Sequence, residues 1–469
     1  MKYKSIILAA GIACSCAASL FFVSSGQYRA ATAVVMSLVL IGVARVNIYW
    51  AILGLFAYLS VLGEFRRVLL YVQDWSGADP MLMVSPVLLL TLLVVAVTKG
   101  DLSVDTLASK VAALLAGIMV LQIFNPIQGP LAVGVGGILF VLIPFLWFWV
   151  GKAFGTEDFL RILFFRLVLP FSFVAAAYGF YQTYVGLPWH QEHWIETQGL
   201  VTMYIAETVR GFSFYTNSIE HNIYMSMGAT LLWVLYLKGY RAALLPLPIL
   251  VFGIFVVGSR GPIVWLLLMG VLTWAIQGRT FAVWVPRLAV AVVVAVVGLT
   301  WTLTQAQTLG DDERIAPFVQ HQTSGLTNPG ESTAVGHIWM KINGVQRGFT
   351  QPLGEGLGRT TLAAERFGGR GGSTEMDFSD MFVSLGVVGG MLYFMLVGIV
   401  GYMAVRYWMR TRSLVALCLV GILIIMAGGW LIGNRYFASV FTWFCVGAVD
   451  RLYAESQKES EPVPMHMST

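Results

Sequence analysis

Two arginines near the middle of the chain are the first candidates for chemistry. Arg210 lies in ETVRGFSFYTNSIEHN, before an apolar stretch, and Arg260 lies in VVGSRGPIV, where glycines and a proline predict a turn that opens a helix. A guanidinium binds phosphate oxygens through two parallel N–H groups, and a cation at a membrane surface is a functional candidate. The pair favours a pyrophosphate site. Each arginine alone is explained equally well by lipid head groups or by an ion pair with Glu207 or Glu220.

Acidic side chains before a later apolar stretch are candidates for a general base. Glu375, Asp377 and Asp380 precede the stretch that begins near residue 381. A base at the membrane surface must come within hydrogen-bond reach of an acceptor hydroxyl. Capping of the following helix explains the same acids equally well, because carboxylates are stabilised at helix N-termini.

His337 and Arg347 lie in ESTAVGHIWMKINGVQRGFTQ, which has helical periodicity. Its apolar residues are three or four apart, which predicts an amphipathic helix: Val335, Ile338, Trp339, Ile342 and Val345. His337 is a further candidate base, although a lone histidine on such a helix is more often a core or surface residue. Arg347 is a further candidate for the pyrophosphate, or a cation stabilised at a helix C-terminus.

Three other motifs predict little chemistry. WHQEHW holds His190 and His193, which is half of a metal site, but no further ligand is spaced to join them and the tryptophans are typical of a membrane interface. PLGEGLG, at 352–358, follows no predicted strand and precedes no helix that carries a lysine, so it does not indicate a nucleotide loop. The four cysteines lie in apolar runs. We therefore expect no metal, no other cofactor and no disulfide.

The composition sets these residues in a membrane protein. Of the 469 residues, 58% are hydrophobic and 11% are charged, and the mean hydropathy is +0.77. Soluble domains carry about 25% charged residues, so a soluble enzyme, a disordered chain and a coiled coil are excluded. The net charge of +5 requires no nucleic acid as a partner.

About fourteen apolar stretches, two or three of them marginal, predict an all-α polytopic protein with about 12–14 transmembrane helices. They cover residues 5–24, 30–45, 47–63, 81–98, 109–124, 130–150, 163–186, 217–237, 241–257, 261–277, 281–303, 381–405, 413–428 and 431–449. The predicted parts are a first block of spans at 1–303, a long loop at 304–380 with the amphipathic helix, the last spans at 381–450 and a polar tail at 451–469.

The positive charges orient these spans. With the N-terminus in the cytoplasm, about 17 lysines and arginines lie inside and about six arginines lie in short outside loops, which agrees with the positive-inside rule. The six are Arg29, Arg66, Arg67, Arg210, Arg260 and Arg435. Both termini are then cytoplasmic and the long loop is extracytoplasmic. An arginine outside must be held there by some other interaction.

Over roughly residues 160–400, the combination of motifs resembles the O-antigen ligase and polymerase superfamily of bacterial envelope glycosyltransferases. It consists of an arginine before G…N, an SRG turn, a long external loop with GH and PLGEGLG, and acids before an LGVVGG span. The sequence is more similar to the polymerase branch, which acts on O-antigen and exopolysaccharide chains.

The resemblance implies a lipid-dependent glycosyltransferase of the bacterial inner membrane. Its donor and acceptor are glycans on undecaprenyl diphosphate, and an acceptor hydroxyl attacks the anomeric carbon while the lipid diphosphate leaves. Arg210 and Arg260 match the positions that hold the pyrophosphate, and no metal is needed if arginines stabilise the leaving anion. Membrane lipid and, as protein partners, a chain-length regulator or other envelope polysaccharide proteins are implied as well.

One departure separates the two branches. Ligases of the superfamily tend to carry a histidine in an HN pair shortly before the span that follows the loop, where this chain has Glu375 and Met376. We therefore expect a polymerase, with Glu375, Asp377 and His337 open as its base. The alternatives are a ligase that transfers glycan to a lipid or protein acceptor, a flippase or other transporter of lipid-linked oligosaccharide, and a structural subunit of an envelope complex. No internal repeat supports a flippase.

Overall fold

The computed structural model describes residues 17–205, 208–278, 282–290, 333–369, 371–431 and 435–458, together with positions 293 and 319. The described chain is helical apart from one antiparallel pair of two-residue strands, Tyr204–Ile205 and Thr208–Val209. Six helices are long and apolar enough to cross a membrane, and four shorter apolar helices accompany them. The predicted all-α, multi-pass membrane architecture is thereby confirmed, while the number of 12–14 spans stays a prediction.

The first part of the chain forms helices that follow the predicted stretches closely. They are α1 (Tyr28–Val46), α2 (Ile48–Val68), α3 (Val84–Lys99), α4 (Leu107–Gln122), α5 (Leu131–Phe154) and α6 (Glu157–Tyr184). Asn47 separates α1 from α2, and its side chain accepts the N–H groups of Tyr49 and Trp50 at the start of α2. Two predicted stretches, 5–24 and 281–303, lie largely outside the described residues.

The rest of the described chain supplies the functional loops and the helices beneath them. These helices are α7 (Trp189–Gln198), α8 (Ser218–Leu237), α9 (Leu247–Val256), α10 (Arg260–Ala275), α11 (Thr333–Thr350), α12 (Leu362–Arg366), α13 (Asp377–Thr411), α14 (Leu414–Ile425) and α15 (Tyr436–Lys458). Helix α11 confirms the helix predicted in the long loop.

Helices α5 and α15 pack most closely and form the centre of the molecule. A Cβ atom on Gly151 or Gly447 would overlap a backbone carbonyl of the other helix, so the two backbones touch at glycines. Around them the ring of Phe56 lies between 5.4 and 6.0 Å from those of Trp147, Phe441 and Phe444. Burial of such large rings contributes strongly to the stability of this core.

Contacts between helix ends sort the loops onto two faces. On the loop face, Arg29 pairs with Asp79, and the residue 122–130 connection binds the long loop through the bond from Gln122 to the Leu353 carbonyl. On the opposite face, Lys152 pairs with Asp105 and Asp450. This alternation agrees with the predicted one. The side of the membrane on which each face lies stays a prediction.

Helix α13 folds back on itself at Gly386. Gly386 has φ 72° and ψ −172°, which are not helical values. The ring of Phe378 lies 5.6 Å from that of Phe394, and the Tyr393 hydroxyl donates to the Asp377 carboxylate. In a straight helix these pairs would be roughly 24 Å apart, at about 1.5 Å per residue. We call residues 377–385 the short arm and 387–411 the long arm; the first five residues of the span predicted at 381–405 lie on the short arm.

The PLGEGLG segment holds the corner of this hairpin. The N–H groups of Glu355 and Gly356 donate to the carbonyls of Val383 and Ser384, at 2.8 and 3.1 Å. From the other side, the Gln128 side chain accepts the N–H of Gly358 at 3.0 Å. The glycines of this segment therefore allow close packing of backbones, which is a structural role.

Candidate functional site

Arg210 lies on the loop face and binds neutral groups. Its Nε donates to the carbonyl of Val257 at 2.9 Å, and its two terminal nitrogens lie 3.3 Å from the Thr202 carbonyl and the Ser259 hydroxyl. Burial lowers the pKa of this guanidinium, and among the described residues no carboxylate compensates its charge. Arg210 is therefore a partly desolvated cation that binds no carboxylate within the part of the chain that the structure describes.

The same contacts bring the two arginine motifs together. Ser259, which Arg210 contacts, directly precedes Arg260, and Arg260 opens helix α10. The side chain of Arg260 lies outside what the structure describes. Anions bind favourably at a helix N-terminus, because its first N–H groups and the helix dipole point toward them. The sequence predicted only that the two motifs share a face of the membrane; the structure places Arg210 beside the residue that precedes Arg260.

Three other arginines of the loop face are held by carboxylates. Arg29 and Arg66 are buried and both bind Asp79, at 2.6 and 2.9 Å, while the ring of Trp75 lies 4.2 Å from the Arg66 guanidinium. Asp79 is buried as well. The ion pairs with Asp79 therefore hold Arg29 and Arg66 on the loop face.

Arg67 is bound in a second buried network. Glu64 accepts its Nη2 at 2.7 Å, and the carbonyls of Ser213 and Tyr215 accept the remaining N–H groups. The Nε2 of His190 lies 2.7 Å from Glu64 Oε1. Of the two histidines of WHQEHW, His190 thus contacts Glu64, and the ring of His193 stacks on that of Trp189.

The predicted acids lie together on the loop face but differ in access. Asp377 is fully buried, and its two oxygens accept the Tyr393 hydroxyl and the N–H groups of Trp430 and Phe378. Asp380 is also buried and accepts the N–H and hydroxyl of Thr374. Both carboxylates lie in the first turn of α13 and hold the short arm in place, although the N-cap residue, Met376, makes no side-chain capping hydrogen bond.

Glu375 is the exposed member of the acidic group. It has φ 64°, a left-handed conformation that is uncommon outside glycine, and its N–H donates to the Ser373 hydroxyl at 2.9 Å. Such conformations persist only where the surroundings determine them. An exposed carboxylate on a constrained backbone is more accessible to an acceptor hydroxyl than the enclosed Asp377 is.

Two further charged residues, Arg435 and Glu220, accompany this acidic group. The sequence motifs did not single out either of them as a site residue. Arg435 interacts electrostatically with Glu220, Glu375, Asp377 and Asp380. Glu220 accepts the N–H groups of Phe437 and Ala438 at 3.0 and 3.4 Å, and it thereby caps helix α15. Glu220 is therefore not the ion-pair partner of Arg210, while Glu207 lies outside the described residues.

The start of helix α8 connects the Arg210 region to the acidic group. Glu220 contacts α15, and the next residue, His221, lines a small cavity together with Gly179, Gly211 and Val257. Val257 also accepts the Nε–H of Arg210. The Nδ1 atom of His221 has no hydrogen-bond partner within the part of the chain that the structure describes. In the sequence, the only indication of a link between the two regions is that Glu220 and His221 are neighbours in IEHN.

Arg347 and His337 lie on the loop helix α11. Arg347 donates its Nε to Glu355 at 2.9 Å, and Arg359 donates to the same carboxylate at 2.8 Å. Burial raises the pKa of Glu355, but the hydrogen bonds from the two arginines outweigh it and lower the pKa overall. Arg347 is thus already paired with an anion, unlike Arg210. The side chain of His337 is not among those described.

The described residues contain no group of three or more His, Cys, Asp or Glu side chains that could hold a metal ion. Compared with known proteins, the chain matches no family model and no curated protein. The site is thus characterised by its geometry: Arg210 beside the start of α10, and Glu375 at the edge of the acidic group.

Proposed function

We propose that this protein is a membrane glycosyltransferase that polymerises undecaprenyl-diphosphate-linked oligosaccharide repeat units into an O-antigen or exopolysaccharide chain. In this proposal the membrane is the bacterial inner membrane, the loop face is extracytoplasmic and both termini are cytoplasmic. The observation that carries the proposal is Arg210, a partly desolvated cation that binds only neutral groups among the described residues, beside the helix start at Arg260.

The chemistry of a lipid diphosphate fits this arrangement. Arg210 and Arg260 would bind the donor pyrophosphate, since guanidinium groups match phosphate oxygens in geometry and charge. Arg347 is a weaker candidate for the same role, because Glu355 already binds it.

The transfer step requires one base and no general acid. The acceptor hydroxyl attacks the anomeric carbon and gives its proton to Glu375, and the bond from that carbon to the diphosphate oxygen breaks. The diphosphate leaves with the electron pair as an anion, which fixed cations stabilise. Asp377 and His337 remain the alternatives for the base, although Asp377 is enclosed by its hydrogen bonds.

The test is the lipid-linked glycan profile of a deletion strain that carries the wild-type protein, Arg210→Lys or Arg161→Lys. Lysine keeps the charge but cannot bind phosphate through two parallel N–H groups. Arg161 is an exposed arginine on the opposite face and is the matched control. We expect Arg210→Lys to accumulate single repeat units on the lipid and to lose the polymer, at a normal protein level, while Arg161→Lys behaves as wild type.

Other outcomes separate the alternatives. Long polymer that remains on the lipid carrier in the deletion strain and never reaches a final acceptor would identify a ligase. Unchanged lipid pools in the deletion strain would contradict both enzyme hypotheses and would favour a transporter or a structural subunit. Normal polymer with Arg210→Lys would remove Arg210 from the site.

A further inference from the structure

Helix α11 has one face packed on the short arm of α13. A Cβ atom on Gly344 would lie 2.9 Å from the Ser379 side chain, and one on Gly348 would lie 2.7 Å from that of Phe382. The glycines therefore let α11 lie directly against the short arm. Each successive turn of α11 meets a later residue of that arm, so the two helices run side by side in the same direction.

A second face of α11 is apolar and exposed. Ile338, Ile342 and Phe349 are 55%, 41% and 62% exposed. At about 100° per residue, these three share one face, roughly 120° around the helix from the two glycines. We call them the apolar stripe. Trp339 lies at its edge and is exposed as well, whereas Asn343 is exposed on the polar side.

The apolar stripe continues into the outer surface of α13. Phe349 stacks on Phe382 at 5.9 Å between ring centres, and a Cβ atom on Gly390 of the long arm would lie 2.5 Å from the same Phe382. Leu353, just beyond α11, is 81% exposed near the corner at Gly386. The long arm then presents Val388, Met391 and Phe394 outward.

We propose that the apolar stripe of α11 inserts into the bilayer leaflet on the loop face, so that part of the long loop lies in the membrane interface. The long arm belongs to a helix that can cross the membrane, so its exposed apolar residues face acyl chains. A stripe continuous with that surface, at the same level, meets the same lipid. Tryptophan at the stripe's edge is typical of interfacial helices, which bury about 5–10 Å into the bilayer. This proposal does not depend on the proposed function.

The test uses a fluorophore at single cysteines in the full-length protein in lipid nanodiscs. Ile342→Cys and Phe349→Cys report on the apolar stripe, and Asn343→Cys is the matched control on the neighbouring polar face. Cys14 and Cys16 are replaced by Ser; Cys418 and Cys445 are buried and do not react. The bilayer contains a phosphatidylcholine with a nitroxide on its acyl chain, and a water-soluble nitroxide is added in a parallel experiment.

We expect the lipid nitroxide to remove more than about half of the emission at positions 342 and 349, because the label lies within the interfacial depth. The label at position 343 should keep its emission with the lipid quencher and lose it with the soluble quencher. Equal lipid quenching at 342 and 343 would overturn the proposal. So would protection of position 342 from both quenchers, which would indicate that protein, such as a second copy, covers the apolar stripe.

Discussion

Two sets of arginines on the loop face differ in what compensates their charge. Arg29, Arg66 and Arg67 are buried and bind Asp79 or Glu64, while Arg210 binds two carbonyls and a hydroxyl. All four lie on the face where the positive-inside rule predicts few positive charges. For the first set, the ion pairs with Asp79 and Glu64 explain this position.

The difference shows how to separate structural from functional cations in this protein. The charges of a buried cation and its bound carboxylate compensate each other, and removal of one partner leaves the other charge uncompensated. Neutral acceptors orient a guanidinium without cancelling its charge, so Arg210 stays attractive to an anion. Three predictions test this distinction, in order of their expected effect on the free energy of unfolding, and a fourth tests an arginine–carboxylate pair of the long loop.

Asp79→Asn should have the largest effect. The amide leaves the charges of Arg29 and Arg66 uncompensated in a buried site, and we expect a loss of roughly 3–5 kcal/mol. Denaturation of the purified protein in detergent, followed by tryptophan fluorescence, measures this loss. Asp74→Asn is the control, because Asp74 is exposed in the same connection. Equal stability of the two variants would contradict the interpretation that Asp79 compensates the charges of Arg29 and Arg66.

Glu64→Gln should have a smaller effect. The amide oxygen can still accept a hydrogen bond from Arg67, but the charge that compensates the guanidinium is lost, so we expect about 2 kcal/mol. The same denaturation experiment applies. The double variant Glu64→Gln, Arg67→Met measures the coupling, and it should recover part of the loss because no buried charge remains. A further loss in the double variant would show that Arg67 stabilises the fold mainly through the carbonyls of Ser213 and Tyr215.

Arg210→Gln should change stability by less than about 1 kcal/mol, because the bonds to neutral acceptors are replaceable and no carboxylate among the described residues loses its partner. The same variant should abolish polymer formation in cells under the proposed function. Stability and the lipid-linked glycan profile, measured together, check both parts. A loss of stability as large as that of Asp79→Asn would place Arg210 in the structural set instead.

The pair of Arg347 and Glu355 should respond to pH. The pKa of Glu355 is lowered in the folded protein, so ionised Glu355 stabilises the fold above its unfolded pKa near 4.5, and this contribution is lost as the pH falls through the lower folded value. We expect no change between pH 8 and about 5 and a looser loop below about 4. The anisotropy of a fluorophore on Gln351→Cys should fall in that acidic range. Glu355→Gln should lower it at every pH and remove the transition.

Much of the fold follows from the sequence because burial in a membrane imposes long apolar stretches. The predicted stretches at 47–63 and 81–98 correspond to α2 and α3, and the amphipathic pattern predicts α11. The break at Gly386 does not follow, because the apolar run continues through LGVVGG. Its cause is a contact distant in sequence, the binding of the corner by Glu355 and Gly356.

The candidate site is predictable in part. The sequence predicts that Arg210 and the SRGP turn share a face of the membrane, but their proximity is visible only in the structure, where Arg210 contacts Ser259. Sequence alone did not distinguish Glu375 from Asp377, because two residues in the same acidic segment differ only in burial. The role of Glu220 depends on where α15 begins in space, which no local pattern encodes.

The hairpin in α13 determines how the long loop can move. Its corner is bound to the loop through backbone hydrogen bonds, and its free end is fixed through Asp377 to Tyr393 and to the segment after α14. An element fastened at both ends acts as a strut and not as a hinged lid. The described residues between 352 and 385 therefore keep their distance from the helices beneath them. Under the proposed function, a growing glycan chain would pass beside this strut.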